Sequence, residues 1–221
     1  YKLTHHQHSD QSGVYSFCMC PGGYVLSSGT ESDGIVCNGM SNYSRSSKWA
    51  NSAIVVSIDH QKLFGSDQMG GLQFRQKLEV QAKSQVLAAG GTKQLPAQKI
   101  TDFLSKKLGS IIENSCQSGA VPTRLDELLP AHMRERLIEG LTAFEKKMPG
   151  FVSEQALLFG IESRTSCPVR ITRNPKTLQS ISHSGLYPAG EGAGYSGGIT
   201  SSACDGARIA DQIFTELGGE L

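Results

Sequence analysis

Over the first 60 residues the apolar positions fall in short runs bounded by glycine and proline, a strand pattern. "GVYSFCMC" (Gly13–Cys20) and "GGYVLSS" (Gly22–Ser28) carry aromatic and β-branched residues. "SAIVVSI" (Ser52–Ile58) is a continuous apolar run that reads as a buried strand. Between them "NGMSNYSRSSKWANS" is polar and reads as loop. The period then lengthens. Phe74, Leu78, Ala82 and Val86 recur at every fourth position and predict one helical face, which "AAGGTKQLPAQ" interrupts. Leu129, Met133, Leu137, Leu141, Phe144 and Met148 predict a second helix, with Pro130 at its start and Pro149-Gly150 at its stop. Its other face carries Arg134, Glu135, Glu139, Glu145 and Lys146, as a solvated back should.

Strand character returns at Ala156–Ile161, at Val169–Ile171 and in "GLYPAG". A last helix is expected from Gly197 or Gly198, with Ala203, Ala207, Ala210, Phe214 and Leu217 as its inner face. The order is mixed β, helices, β, then strand, glycine loop and helix. It predicts an α+β to α/β chain, a β-rich and helical cap followed by the closing part of a sheet domain.

Composition narrows the class. With 221 residues, 38% hydrophobic and 19% charged, the chain is globular rather than disordered. A net charge of +1, spread along the chain, gives no case for nucleic acid or an anionic membrane surface as partner. No apolar run approaches the roughly 20 residues of a membrane span, and no secretory signal pattern is present. Cys18, Cys20, Cys37, Cys116, Cys167 and Cys204 show no CxxC pairing, so reduced thiols in the cytoplasm are expected. His5, His6 and His8 read as metal ligands or as a polar chain end; the second is preferred, since no other ligand cluster lies nearby in sequence. The opening "YKLTHH", without an initiator Met, leads us to expect a fragment or processed product.

The chemistry concentrates in "GLYPAGEGAGYSGG" (residues 185–198). Glycine lets a backbone approach a ligand with no Cβ in the way. The first amides of a helix lack intrahelical acceptors, and the peptide dipoles add roughly half a positive charge there. Glu191 would repel a phosphate facing it but would accept hydrogen bonds from a polyol. The loop therefore reads as a site for a ligand with polyol and anionic parts, or as a structural turn with a helix cap. Composition leaves both open.

"GLYPAGEGAGYSGGITSSACDGARIADQI" resembles the C-terminal FAD-binding signature of bacterial FAD-dependent oxidoreductases, the FAD-utilising dehydrogenases. "GVYSFCMCPGGYV" with "NGMS" and "ANSAIVV", and "ESRTSCPVRI", resemble the same family in the same order. The resemblance implies a substrate cap over residues 1–160, inserted in the parent FAD domain, and over 161–221 the C-terminal strand–loop–helix part of a two-dinucleotide-binding-type FAD domain. Apart from Gly192–Gly197, which lies inside that C-terminal signature, no GxGxxG is spelled in these residues, so the domain's N-terminal half, which carries such a loop, is expected to be missing. The adenosine and pyrophosphate contacts would then fall mostly outside the chain, and the 221 residues alone are expected to be inactive.

Residue by residue, the resemblance makes Glu191 an acceptor for cofactor hydroxyls. It makes Gly190, Gly192 and Gly194 close-approach positions. Gly197, Gly198 and Ile199 become the helix start facing the pyrimidine edge of the flavin. It implies electron or hydride transfer between FAD and a small organic substrate, with NAD(P)H as a candidate electron partner. The rival readings are a non-catalytic binding or structural module and a flavin-binding protein without turnover.

The catalytic candidates are few. Cys18 and Cys20 would point the same way in an alternating strand, either as a redox pair or, preferred here, as pocket lining or core. Arg164 and Arg170 could clamp a carboxylate substrate or the flavin diphosphate, or form surface salt bridges. Asn38 and Ser41 are donors near the flavin edge by analogy with the family. His60, His132 and His183 stand alone and read as structural or surface. No metal site is predicted.

Overall fold

The computed structural model describes residues 3–6, 12–29 and 31–219. Its elements run β1 (Thr4–His6), β2 (Gly13–Cys20), β3 (Gly23–Ser27), β4 (Cys37–Ser41), β5 (Asn51–Val56), α1 (His60–Phe64), α2 (Gly70–Ala88), β6 (Leu95–Lys99), α3 (Ile100–Leu104), β7 (Ala120–Pro122), α4 (Leu125–Leu128), α5 (Ala131–Lys147), β8 (Leu157–Phe159) and α6 (Ile199–Glu216). The class is α+β, because the strand pairs are antiparallel apart from β6 and β7, which flank α3 and pair in parallel. The chain divides into two units, Tyr1–Leu63 with Gln76–Glu162 and Phe64–Arg75 with Ser163–Leu221.

The first unit contains three small sheets, ordered β1-β2-β5, β3-β4 and β7-β6-β8. In the first, Val14 pairs with Val56 and Tyr15 with Val55, antiparallel. Helix α5 packs on that sheet through its apolar stripe, with Met133, Leu141 and Phe144 buried. Gly140 lies close against the sheet: an added Cβ there would stand 2.5 Å from Val14 Cγ1. The later part of α2 turns Leu78, Ala82 and Val86 inward; the last two join Leu95, Phe103 and Leu125 in the core. The helix stops at Gly90 and Gly91, whose amides bond back to Leu87 and Val86.

Two strands lie where the sequence reads as loop or break. β4 falls in the polar segment because it is held by a backbone ladder to β3, from Gly23↔Ser41 to Ser27↔Cys37, and not by an apolar face. β6 contains Pro96 yet is a central strand, parallel to β7 and antiparallel to β8. The proline is tolerated because it lies beyond the last β8 partner, Phe159, and its carbonyl still accepts the Gly160 N–H at 2.9 Å. Buried Gln98 of β6 and the Arg124 guanidinium both donate to Asp126, at 2.8 Å each.

In the second unit neither Val169–Ile171 nor "GLYPAG" is a strand; the ladder there is one isolated bridge, Arg173↔Ser180. Ile171 donates instead to the Ala193 carbonyl, so this segment lies along the glycine loop and not along another strand. Pro188 has no N–H to give, and Gly185 takes a left-handed φ of 75°. Helix α6 begins where expected but is rotated from its expected face. Ala203, Ala207, Ala210, Phe214 and Leu217 are exposed, while Ile209 is buried and Ser202, Asp205, Gln212 and Ile213 are half-buried.

Gly140→Ala gains helix propensity but drives a methyl into Val14, a stiff buried side chain. Overpacking of this kind costs about 1–3 kcal/mol, so the urea midpoint should fall with the slope unchanged.

Candidate functional site

The glycine loop and the start of α6 belong to the second unit and are built from its own residues. Gly190 and Gly194 have φ of 62° and 79°. At Gly194 a Cβ would stand 2.4 Å from the Val169 carbonyl oxygen, so only glycine fits. The loop closes on itself through Gly194 N–H to Glu191 O and Tyr195 N–H to Gly190 O, at 2.9 and 3.0 Å.

Arg173 and Asp205 hold this loop. Their side chains are 6% and 12% exposed, and two bonds of 2.9 and 2.6 Å join guanidinium to carboxylate. Asp205 also accepts the Gly190 N–H at 2.9 Å, and Arg173 donates to the Pro188 carbonyl at 2.7 Å. The Arg173 guanidinium lies 3.8 Å from the Tyr195 ring centroid, and its backbone N–H donates to the Tyr195 hydroxyl. The paired guanidinium, opposed by burial and assisted by the Gly190 amide, holds the Asp205 carboxyl down to about 2.

At the mouth of α6, Gly198 has no side chain to accept the first helical amides, and the Ser201 hydroxyl accepts the Gly198 N–H, half of a capping box, and donates to the Gly198 C=O. Ile199, the first helical residue, is 93% exposed. Glu191 is half-buried beside this opening in sequence. Among the described residues a Cβ built on Gly192 or Gly197 meets nothing within 4 Å, so none of them demands glycine there.

Arg170 reaches the same loop, donating from Nε to the Gly194 carbonyl at 2.9 Å and lying 5.0 Å from the Tyr195 ring centroid. It is an arm of the loop and not a surface salt bridge. Arg164 lies half-buried upstream. Neither Arg173 nor Asp205 stands out in the sequence. The available signal is the spacing, an acid in the second turn of the helix that follows the loop.

In the first unit, "CMCPGG" and "NGMSNYSR" are brought together. Ser41 donates to the Pro21 carbonyl at 3.0 Å, and Gly22, at φ 56°, passes so close to Arg45 that a Cβ would lie 2.3 Å from its carbonyl carbon. Cys18 and Cys20 do not share a strand face. The register shifts between Phe17 and Cys20, Cys18 adopts φ 50° and is exposed, and the Cys20 thiol donates to the Cys18 carbonyl at 3.5 Å. Asn38 is exposed on β4. Burial, with Glu162 and Cys116 adding to it, pushes the Cys37 thiol up to about 12, which removes it as a nucleophile at neutral pH. His5 and His6 lie in β1, His6 edge-on to Tyr15, and His8 lies outside the described residues. Among the described residues no group of three or more His, Cys, Asp or Glu could hold a metal ion, and no helix is long and apolar enough to cross a membrane.

The class these features define is an α+β protein with a clamped glycine loop leading into a helix N-terminus whose first amides meet no capping side chain, a place where negative charge is stabilised. The chain belongs to the family described as FAD-dependent protein, C-terminal domain-like, whose sequence model matches residues 1–165. It is also 43% identical over 221 residues to an uncharacterized protein of Clostridium beijerinckii, a match that covers 98% of this chain and 40% of that protein. The glycine loop lies beyond the family match and within the clostridial one.

Because the folded Asp205 carboxyl lies below its ordinary 3.8, the stability from its pair is complete above about pH 4 and disappears as pH falls toward about 2. The difference in thermal midpoint between the native chain and Asp205→Asn should stay constant from pH 7 to about 4, then shrink in acid.

Proposed function

We propose that the chain is part of an FAD-dependent oxidoreductase acting on a small organic substrate. Here the glycine loop and the start of α6 hold the flavin, and the first unit serves as cap. The observation that carries this reading is the open space at Gly192 and Gly197, beside Gly194, which the chain's own packing requires, and Gly190, which its φ of 62° requires. Glycine at an uncrowded position is what close approach of a planar or polyol ligand would need.

In this reading the Glu191 carboxylate accepts hydrogen bonds from the ribityl hydroxyls. The uncapped amides of Ile199 and Thr200 face the pyrimidine edge, where their partial positive charge favours the more negative, reduced ring. Bound FAD supplies the two-electron chemistry. The protein's part is to bind it, orient it and exclude water. Gly22 lets the Pro21 turn pass close to its neighbours in the cap, where Cys18 and Met19 are exposed. A cytoplasmic setting, with the thiols reduced, belongs to the same reading. Since the chain spans 40% of its clostridial relative, activity is assigned to a protein of that length.

A purified protein of the relative's length containing this chain should carry flavin absorbance, bleach with a reductant, NAD(P)H included, and recover with a suitable organic substrate. Gly192→Ala and Gly197→Ala should each weaken FAD binding by about tenfold without lowering the melting temperature. Gly194→Ala should lower both. Failure to bind added FAD overturns the proposal; flavin without any substrate-linked redox change favours binding without turnover.

A further inference from the structure

A loop made largely of glycine and alanine has many conformations, and each must be given up when a ligand binds. In the second unit that ordering is done beforehand by three side chains that do not themselves line the opening at Gly192 and Gly197. We infer that Arg173, Asp205 and Tyr195 are positioning residues that preset the Gly190–Gly194 loop for its cofactor, an inference that rests on the flavin reading of that loop.

The contacts form a closed circuit. Gly190 N–H reaches Asp205, Asp205 is bound to Arg173 through two bonds, Arg173 N–H reaches the Tyr195 hydroxyl, and Tyr195 N–H returns to Gly190 O. Both ends of the loop are therefore tied to one ion pair. Arg173 adds the Pro188 carbonyl before the loop, and Arg170 adds the Gly194 carbonyl within it. Asp205 sits in the second turn of α6, so the circuit also fixes the helix mouth relative to the loop. The pair is nearly sealed from water, which strengthens it and takes it out of direct contact with a ligand arriving at Ile199. Its effect on affinity is exerted through Gly190 and Tyr195.

The test uses the same protein of the relative's length, with FAD as probe. Asp205→Ala should raise the FAD dissociation constant by about tenfold or more, chiefly through faster release. Asp205→Asn keeps an oxygen for the Gly190 N–H and should recover part of that loss. Ile209→Ala, a core truncation on the same helix, should lower the melting temperature while leaving FAD affinity within about threefold, which separates positioning from mere stability. Should Asp205→Ala fail to fold, Tyr195→Phe, which keeps the ring and removes the acceptor, should weaken FAD by about threefold or more. Unchanged affinity in Asp205→Ala, or in Tyr195→Phe where that variant carries the test, overturns the inference, as does equal weakening in Ile209→Ala at equal loss of melting temperature. If Gly192→Ala and Gly197→Ala still weaken FAD, only the inference falls. If they too leave it untouched, or if the protein binds no FAD, the flavin reading falls with it.

Discussion

The second unit depends on a salt bridge more than on a core. Its buried apolar side chains, among the described residues, are few: Leu178, Pro188, Ala193 and Ile209. The Arg173–Asp205 pair supplies the order that such a small apolar set cannot. A buried pair of this kind holds only while both partners are present, because removing either strands the other charge away from water. The pair's two-pronged geometry also fixes direction. It sets where Gly190 sits, how the Tyr195 ring lies, and which face of α6 turns inward.

That last point explains why the sequence misleads at the C-terminal helix. The apolar period picks out Ala203, Ala207, Ala210, Phe214 and Leu217, yet these are the wet residues. Asp205 has to face Arg173, and the helix rotates to suit it. Ser202 follows onto the inner side, where its hydroxyl meets that of Ser196 at 2.7 Å. Elsewhere the period was a sound guide. The stripe of α5, β2 with its full length, and the inward face of α2 after Phe74 could all be read directly, because each buries apolar side chains in one core. β4 and β6 could not. One is paired through its backbone alone, and the other is buried so completely that alternation vanishes and a proline obscures it.

The site was legible in the same uneven way. Glycines and a lone carboxylate announce an unusual loop, since their backbone consequences are local. Its supports are not local. Arg173 lies 32 positions from Asp205 and 22 from Tyr195, and nothing in a linear reading joins them. Arg170 stands out in the sequence by its charge, but its guanidinium serves the Gly194 carbonyl and the Tyr195 ring. Cys18 reads in the sequence as one half of a pair, but the bulge breaks the alternation that would make it one.

The placement of the thiols has a practical side. Cys204 is exposed and adjoins Asp205 on α6, whereas Cys37 and Cys116 are enclosed. A maleimide dye will attach most readily at the exposed Cys204 and Cys18, more slowly at the half-buried Cys20 and Cys167, and pass over the enclosed ones. With Cys18, Cys20 and Cys167 replaced by serine, the dye on Cys204 becomes a native-position optical reporter, one residue from the ion pair, for following the ordering of the neighbouring turn in real time.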